Sequence, residues 1–330
     1  MVRCNGGKRA HAYAPPMARA LVTRPLPEGW LDPLLAAGHH AAWLDDEPLT
    51  HDQLVRVVGE HDALICTITD RIDDEVLDAG AGRLRVVGNI GVGYDNIDVA
   101  AAMARGIAVC NTPGVLDETT ADLAFLLLLA ASRRSSDAEA TLRNGAWTGF
   151  RIDAFLGVDV HGATLGIVGF GRIGQAMARR ATGFGMNVLH HSRHDTGREG
   201  YVSDLDDLLA RVDAVSLHVP LTDETRGLID ARRLRLMQDH AVLVNTARGP
   251  VVDEEALAVA LEDGEIFAAG IDVFEREPQV HPRLLAAPHA VLLPHIGSAS
   301  EATRRRMGRL ACEGAVAVLA GEQPPNLVVH

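Results

Sequence analysis

The chain has 330 residues, 47% of them hydrophobic, which is enough for one or two domains with large cores. Its formal net charge is −13, from 31 Lys and Arg against 44 Asp and Glu. This acidic balance disfavours a nucleic acid or an anionic membrane as a partner, although a local arginine could still bind an anionic substrate. The longest apolar run, residues 123–131, is far shorter than the roughly 20 residues that a membrane span needs.

The start of the chain is polar and basic through residue 16 and has no apolar stretch of the secretory type. We expect residues 1–16 to be a disordered extension, or translation to begin at Met17. The four cysteines lack metal or redox spacing, and no metal site is expected. Cys66 and Cys110 lie in apolar runs and are predicted to be buried, reduced thiols in a cytoplasmic protein.

Strand-like and helix-like segments alternate along the chain, which predicts an α/β protein with parallel sheets. The first strands are predicted at residues 19–24, 41–44, 63–67, 85–90 and 107–111, with helices at 52–60 and 97–105. Pro113 and Gly114 then interrupt regular structure, and a hinge is expected there. The next segment is predicted to be one long helix, residues 119–143. Because its first half is apolar on nearly all sides, we expect a partner subunit to cover it.

A second series of strands is predicted at residues 164–168, 187–191, 214–218, 241–245, 268–273 and 291–293, followed by a helix at 301–319. The pattern predicts two doubly wound, Rossmann-like domains with parallel sheets and an active-site cleft between them. The first domain comprises residues 17–113 plus 299–330, because the last helix could cross back to it. The second comprises residues 114–298.

A glycine-rich turn separates the first strand and helix of the second series. The turn reads Gly169-Phe170-Gly171-Arg172-Ile173-Gly174, after an apolar run at 163–168 and before a helix-like run at 173–184. Such a turn lets the backbone approach a pyrophosphate closely and aims a helix N-terminus at it. Residues 114–298 are therefore predicted to bind a dinucleotide.

The end of the next strand indicates which dinucleotide is bound. NAD enzymes usually carry an acidic residue there for the ribose hydroxyls, but this chain has no carboxylate before Asp195. Ser192, Arg193 and His194 could instead hold a 2′-phosphate, with Arg193 as the cation. NADP(H) is therefore preferred over NAD(H). The alternative is that Arg193 is a solvated surface charge and Asp195 reaches the ribose.

Further cofactor contacts are expected at the ends of later strands. His218, which precedes Pro220 at a strand end, is one candidate, and Thr246 and Ala247 are others. Six other histidines, at 39, 40, 51, 61, 190 and 191, are interpreted as surface or strand-end residues.

Three polar residues, each at or beyond the end of a strand-like run, fit the reduction of a small keto acid. Arg248 can hold a carboxylate or keto oxygen through its planar guanidinium group. His295 can donate a proton to the carbonyl oxygen if a partner favours its charged form, and Glu277 can be that partner. Glu275 is a rival for this role, because residues two apart share a face in an extended chain.

These segments resemble the D-isomer-specific 2-hydroxyacid dehydrogenases over nearly the whole chain from Met17. The matching motifs are the substrate loop at 88–98, the cofactor turn at 166–174, the arginine motif at 245–249, the glutamate motif at 272–278 and the histidine motif at 294–299. In that family the carboxylate before proline is the functional one, which favours Glu277 over Glu275.

The resemblance implies further roles. Residues 17–113 plus 299–330 would bind substrate, and the backbone amides near Val92 and Gly93 would join Arg248 in holding its carboxylate. Asp272 would bind the nicotinamide carboxamide, and the helix at Thr119 would build a homodimer. A segment at 144–148 resembles the glyoxylate and hydroxypyruvate reductase branch, in which a tryptophan, here Trp147, reaches the neighbouring subunit's site.

Alternatives stay open at this point. Trp147 could simply pack in an interface. Phe150 stands where that branch often has a second tryptophan, so the motifs do not determine the shape of the substrate pocket. The main alternative to reduction of glyoxylate and hydroxypyruvate with NADPH is reduction of 2-ketogluconate, phenylpyruvate or another 2-keto acid. A phosphoglycerate dehydrogenase-like or formate dehydrogenase-like enzyme is a weaker alternative. A non-enzymatic NAD(P)-sensing co-repressor is the rival of a different class.

Overall fold

A computed structural model describes residues 17–328 of the chain. These residues form two units, residues 17–113 with 305–328 and residues 114–304. The expectation of a disordered extension at residues 1–16 lies outside the described range. No helix in residues 17–328 is both long enough and apolar enough to cross a membrane.

The first unit is built on a five-stranded parallel sheet. Its strands are β1 (Arg19–Val22), β2 (His40–Ala42), β3 (Ala63–Thr67), β4 (Val86–Ile90) and β5 (Ala108–Cys110). Its helices are α1 (Asp32–Ala36), α2 (His51–Val57), α3 (Asp74–Ala79) and α4 (Val99–Ala104). The strand order β2-β1-β3-β4-β5 is that of a doubly wound sheet.

The second unit is built on a six-stranded parallel sheet in the order β11-β10-β9-β8-β6-β7. Its helices before the sheet are α5 (Asp117–Ser132) and α6 (Ser135–Arg143). The sheet and its crossovers are β6 (Thr164–Val168), α7 (Arg172–Gly183), β7 (Asn187–His191), α8 (Leu205–Arg211), β8 (Ala214–Leu217), α9 (Ala231–Leu234), β9 (Val242–Asn245), α10 (Glu254–Asp263), β10 (Ala268–Ile271), α11 (Pro282–Ala286) and β11 (Ala290–Leu292). Helix α12 (Glu301–Ala320) follows.

In both sheets the order in which successive strands are added reverses beside the first strand of the unit, although all strands run parallel. In the second unit this switch point lies between β6 and β8, and the glycine turn follows β6 directly. Ligands of doubly wound folds bind at the carboxyl ends of the strands at such a point. The topology therefore places the predicted cofactor turn at the expected position, and the predicted α/β fold is confirmed.

The predicted helix at residues 119–143 is wrong as a single element. The chain leaves α5 after Ser132, and Arg134 adopts a left-handed conformation with φ 51° before α6 begins. The apolar first half of α5 is explained within its own unit, because this helix packs on α7, β9 and β10. A partner subunit is not needed to cover most of it.

The described cysteines behave as predicted. Cys66 and Cys110 are free and fully buried in the first unit. Burial raises the pKa of both thiols, that of Cys110 to about 12, so both stay protonated and unreactive.

Candidate active site

His295 and Glu277 form a close pair in the second unit. Nδ1 of His295 donates to Oε2 of Glu277 at 2.8 Å, and each side chain is 27% exposed. Oε1 of Glu277 accepts from the amide of Phe274 at 3.0 Å. With both carboxylate oxygens engaged, the side chain is fixed, and the imidazole must carry a proton on Nδ1 because a carboxylate only accepts.

The charge of Glu277 follows from its surroundings. Burial raises the pKa of this carboxyl, but the hydrogen bond from His295, the charges of His295 and Arg248 and the Phe274 amide outweigh it, so the pKa is lowered overall. Glu277 is therefore ionised at neutral pH. Its negative charge orients the imidazole, leaving Nε2 as the nitrogen that can meet a ligand.

The rival carboxylate Glu275 has a structural task. Its Oε1 accepts from the amide of Glu254 at 3.0 Å, and the Glu254 carboxylate in turn accepts from the amides of Glu275 and His281. The two carboxylates thus tie the loop after β10 to the start of α10. These contacts of the buried Glu254 were not predicted from the sequence. An acidic residue is common in the first turn of a helix and does not indicate such contacts.

Arg248 is brought towards Glu277 by the glycine that follows it. A Cβ on Gly249 would lie 1.9 Å from the carbonyl carbon of Phe274, so only glycine allows the two backbones to approach this closely. The buried side chain of Asn245 closes the loop, donating to the Arg248 carbonyl and accepting from the amide of Ala247, both at 3.0 Å. Asn245 is a supporting residue that the sequence reasoning missed.

Asp272 holds the backbone that follows His295. Its two carboxylate oxygens accept from the amides of Ile296 and Gly297, each at 2.8 Å, and its own carbonyl accepts from the amide of His295. These bonds stabilise the positive φ of 54° at His295. Burial raises the pKa of Asp272 to about 6 despite the two amides. Its predicted contact with a nicotinamide carboxamide stays a prediction.

The glycine turn has the shape that a dinucleotide requires. A Cβ on Gly169, whose φ is +95°, would lie 2.5 Å from the His218 carbonyl oxygen, and one on Gly174 would lie 2.2 Å from the Gly169 carbonyl oxygen. A Cβ on Gly171 would meet nothing within 4 Å. Packing therefore requires glycine at Gly169 and Gly174. Gly171 instead leaves open space before the N-terminus of α7, where Arg172 and Ile173 begin the helix.

Polar groups after β8 and β9 also fit a cofactor. The hydroxyl of Thr246 is buried and has no hydrogen-bond partner among residues 17–328, so a ligand could satisfy it. His218 bonds to the hydroxyl of Ser216 at 2.9 Å, and burial lowers its pKa to about 4, so it is neutral. The carbonyl of Pro220 accepts from the hydroxyl of Thr225 at 2.6 Å, which orders the loop after β8.

The residues after β7 form an exposed loop. The Ser192 hydroxyl donates to the His194 carbonyl at 2.7 Å, and Arg193 lies 3.7 Å from Glu224, with both charged groups 72% exposed. The carboxylate of Asp195 accepts from the amide of Gly197 at 2.8 Å. The acidic alternative for the ribose is thus engaged in its own turn.

In the first unit, three carbonyl groups of the predicted substrate loop at residues 88–98 accept hydrogen bonds. The Val92 carbonyl accepts from the side chain of Asn111 and that of Gly93 from the side chain of Asn89, each at 2.8 Å. The Gly91 carbonyl accepts from the amide of Thr112. In a trans peptide the C=O of one residue and the N–H of the next residue point in opposite directions. The amide of Gly93 therefore points away from Asn111, and the amide of Val92 points away from Thr112.

The chain is similar to known proteins over most of its length. The model of the D-isomer specific 2-hydroxyacid dehydrogenase NAD binding domain matches residues 125–297. A glyoxylate reductase of Thermococcus litoralis is 45% identical over 321 residues, 94% of this chain and 96% of that protein.

Two solved structures are also similar. A Thermus thermophilus protein is 47% identical with a TM-score of 0.89, covering 94% of this chain and all of that one. An NADPH-dependent glyoxylate/hydroxypyruvate reductase from Sinorhizobium meliloti, solved with NADP and malonate, is 36% identical with a TM-score of 0.82, covering 94% and 97%.

The class that the fold and these comparisons define is an oxidoreductase with a nicotinamide-cofactor domain. More particularly, the chain belongs to the D-isomer-specific 2-hydroxyacid dehydrogenase family. The family predicted from the motifs is thereby confirmed, and the relatives reported above include glyoxylate reductases, the branch that the sequence indicated.

Proposed function

We propose that this enzyme reduces glyoxylate and hydroxypyruvate to the corresponding 2-hydroxy acids, with NADPH as the preferred cofactor. The observation that carries the proposal is the fixed Glu277–His295 pair, with the charge of Arg248 acting on the same carboxylate. Relatives named glyoxylate reductase support the choice of substrate.

The proposed chemistry divides among these three residues. The reduced nicotinamide, when bound, supplies a hydride to C2 of the keto acid. His295 gives the proton on Nε2 to the keto oxygen, which becomes the hydroxyl, while Glu277 holds the ring in place. Arg248 binds the substrate carboxylate through its guanidinium, and we propose that the amides of Val92 and Gly93 take part in the same task.

The cofactor preference rests on the loop after β7. Arg193 is the cation that we propose for the 2′-phosphate, with Ser192 and His194 beside it. The residues of the glycine turn would hold the pyrophosphate, and Thr246, Ala247, His218, Pro220 and Asp272 would contact the rest of the cofactor. The absence of a carboxylate between the end of β7 and Asp195 supports this assignment over NADH.

The test is a kinetic comparison of NADPH and NADH with a panel of keto acids. The panel contains glyoxylate, hydroxypyruvate, 2-ketogluconate and phenylpyruvate. Turnover of each keto acid is measured as the loss of nicotinamide absorbance. We expect the highest kcat/KM with the first two and NADPH. A higher kcat/KM for NADH would refute the cofactor assignment, and turnover restricted to a larger keto acid would refute the substrate assignment.

We also propose that the enzyme is a homodimer. Large apolar side chains are exposed along the segment from the end of α6 towards β6, namely Leu142, Trp147, Phe150, Ile152 and Leu156. Such a concentration is typical of an interface, and Trp147 could reach the partner's site or simply pack there. Light scattering should give a dimer mass.

The critical comparison is between a double variant of this segment and a control variant elsewhere in the chain. Phe150→Ser with Ile152→Ser should give a monomer, whereas the control Leu285→Ser, at an exposed site on α11, should not. A monomeric wild-type enzyme at micromolar concentration would refute the proposal.

A further inference from the structure

A histidine lies under the cofactor turn, in β7, with none of its surface exposed. The ring of His190 stacks on that of Phe170, with centroids 3.8 Å apart and planes 20° from parallel. Phe170 is the residue between the first two glycines of the turn. The conformation of the glycine turn is therefore supported from below by the imidazole ring.

The same ring is bonded to the loop that follows β7. Nε2 of His190 lies 2.9 Å from the hydroxyl of Thr196, whereas its buried Nδ1 has no hydrogen-bond partner in the described part of the chain. In the neutral ring a buried acceptor without a partner costs less than a buried N–H without one, so the proton belongs on Nε2, which donates to Thr196. Burial lowers the pKa of His190 and keeps the ring neutral.

The loop at residues 192–200 is otherwise attached mainly at its two ends. The amide of His190 donates to the Gly200 carbonyl and the His190 carbonyl accepts from the amide of Val202, both at 2.8 Å. The hydroxyl of Tyr201 reaches the Ser192 carbonyl at 3.4 Å. The bond from His190 to Thr196 holds the middle of the loop, which the backbone bonds at its ends do not reach.

We infer that His190 is a positioning residue that couples the glycine turn to the Ser192–Arg193 loop and so sets the preference for a cofactor with a 2′-phosphate. The inference rests on the proposed function, in which Arg193 binds that phosphate. The stack on Phe170 supports the turn, which any nicotinamide dinucleotide uses. The bond to Thr196 orders the loop that carries Arg193, the proposed partner of the 2′-phosphate.

The two contacts can be separated by substitution. His190→Phe keeps a planar ring for the stack but removes the bond to Thr196, and Thr196→Val removes the bond from the other side. Each should lower the ratio of kcat/KM for NADPH over NADH by about three- to tenfold, the usual effect of one hydrogen bond. Thr196→Val also removes a longer bond of 3.4 Å, which the Arg198 amide donates to the Thr196 hydroxyl, so the double variant should be no worse than Thr196→Val alone.

The controls make the result decisive. Thr182→Val removes a threonine hydroxyl that donates to the Ala178 carbonyl within α7 and should leave the ratio unchanged. A merely structural role would lower Tm and weaken both cofactors equally, which would overturn the inference. If His190→Phe fails to fold, Thr196→Val alone still tests it, because Thr196 is an exposed residue.

Failure of this inference differs from failure of the proposed function. If Arg193→Ala lowers the NADPH ratio but Thr196→Val does not, the coupling by His190 is wrong and the cofactor assignment stands. If Arg193→Ala leaves the ratio unchanged, the 2′-phosphate is bound elsewhere and both are wrong.

Discussion

Replacing Glu277 with Gln tests the catalytic pair most directly. The amide oxygen of Gln can still accept from the Phe274 amide at the present 3.0 Å, so the loop should keep its shape. The amide nitrogen, however, would face Nδ1 of His295, at the site of the present 2.8 Å bond. Two donors then oppose each other, and the imidazole loses both its charge partner and its fixed tautomer.

The size of the effect follows from the bond that is lost. A hydrogen bond to a charged group contributes about 1.5–3 kcal/mol, and 1.4 kcal/mol corresponds to tenfold, so kcat should fall about 10- to 150-fold. Steady-state reduction of glyoxylate, with the cofactor Kd measured separately, distinguishes loss of proton donation from loss of cofactor binding. We expect the Kd to be unchanged.

The matched control is Glu275→Gln, two residues away. Its amide oxygen can still accept from the Glu254 amide, so kcat should stay within about twofold of the wild type. Equal losses in the two variants, or near-normal turnover of Glu277→Gln, would refute the assignment of Glu277 as the partner of His295.

Further predictions concern pH and three other residues. Because the folded pKa of Glu277 is lowered, the stability it contributes is present above its unfolded pKa and is lost as pH falls through the folded pKa; unfolding titrations of wild type and Glu277→Gln should converge in acid and separate towards neutral pH. His295→Gln should reduce kcat by orders of magnitude while fluorescence titration shows normal cofactor binding, and near-normal turnover would contradict its role as proton donor. Arg248→Ala should act mainly by raising KM for the keto acid, so a change confined to kcat would contradict carboxylate binding. Gly249→Ala should destabilise the protein by roughly 1–3 kcal/mol, seen as a lower urea midpoint, because its Cβ would lie 1.9 Å from the Phe274 carbonyl carbon; an unchanged midpoint would show that the backbones are not constrained there.

Local patterns predicted most of the sheet that carries the site. The strands Thr164–Val168 and Asn187–His191 have the predicted bounds, because apolar runs bounded by turn residues mark buried parallel strands clearly. Residues at strand ends were predicted less well. The strand predicted at 268–273 ends at Ile271, and Asp272 beyond it accepts two amides from the His295 loop. Such contacts join distant parts of the chain, so no local pattern contains them.

Two errors have a similar cause. The break between α5 and α6 depends on Arg134 adopting a left-handed conformation, which an arginine side chain does not signal. His39, His61 and His190 were interpreted as surface or strand-end residues; His190 does lie at the end of β7, but all three are buried rather than on the surface. For His190 the reason is the stack on Phe170, 20 positions earlier in the chain, which hydropathy alone could not indicate.

The choice between Glu275 and Glu277 needed more than local sequence. Both carboxylates lie in one short segment, and only the family resemblance favoured Glu277 beforehand. The structure separates them by their partners, an imidazole for one and a backbone amide for the other.

The first unit is built from an early and a late segment of the chain, which has a consequence for biosynthesis. Its strand β5 is completed by late residues, since the side chain of Asn326 donates to the Asn111 carbonyl and the amide of Val328 to the Val109 carbonyl, both at 2.8 Å. At about 5–20 residues per second, a ribosome needs roughly 10–40 s to make the intervening residues 114–304. The second unit is therefore free to acquire its native structure first, and the nascent amino-terminal strands must wait for the carboxyl-terminal segment to emerge.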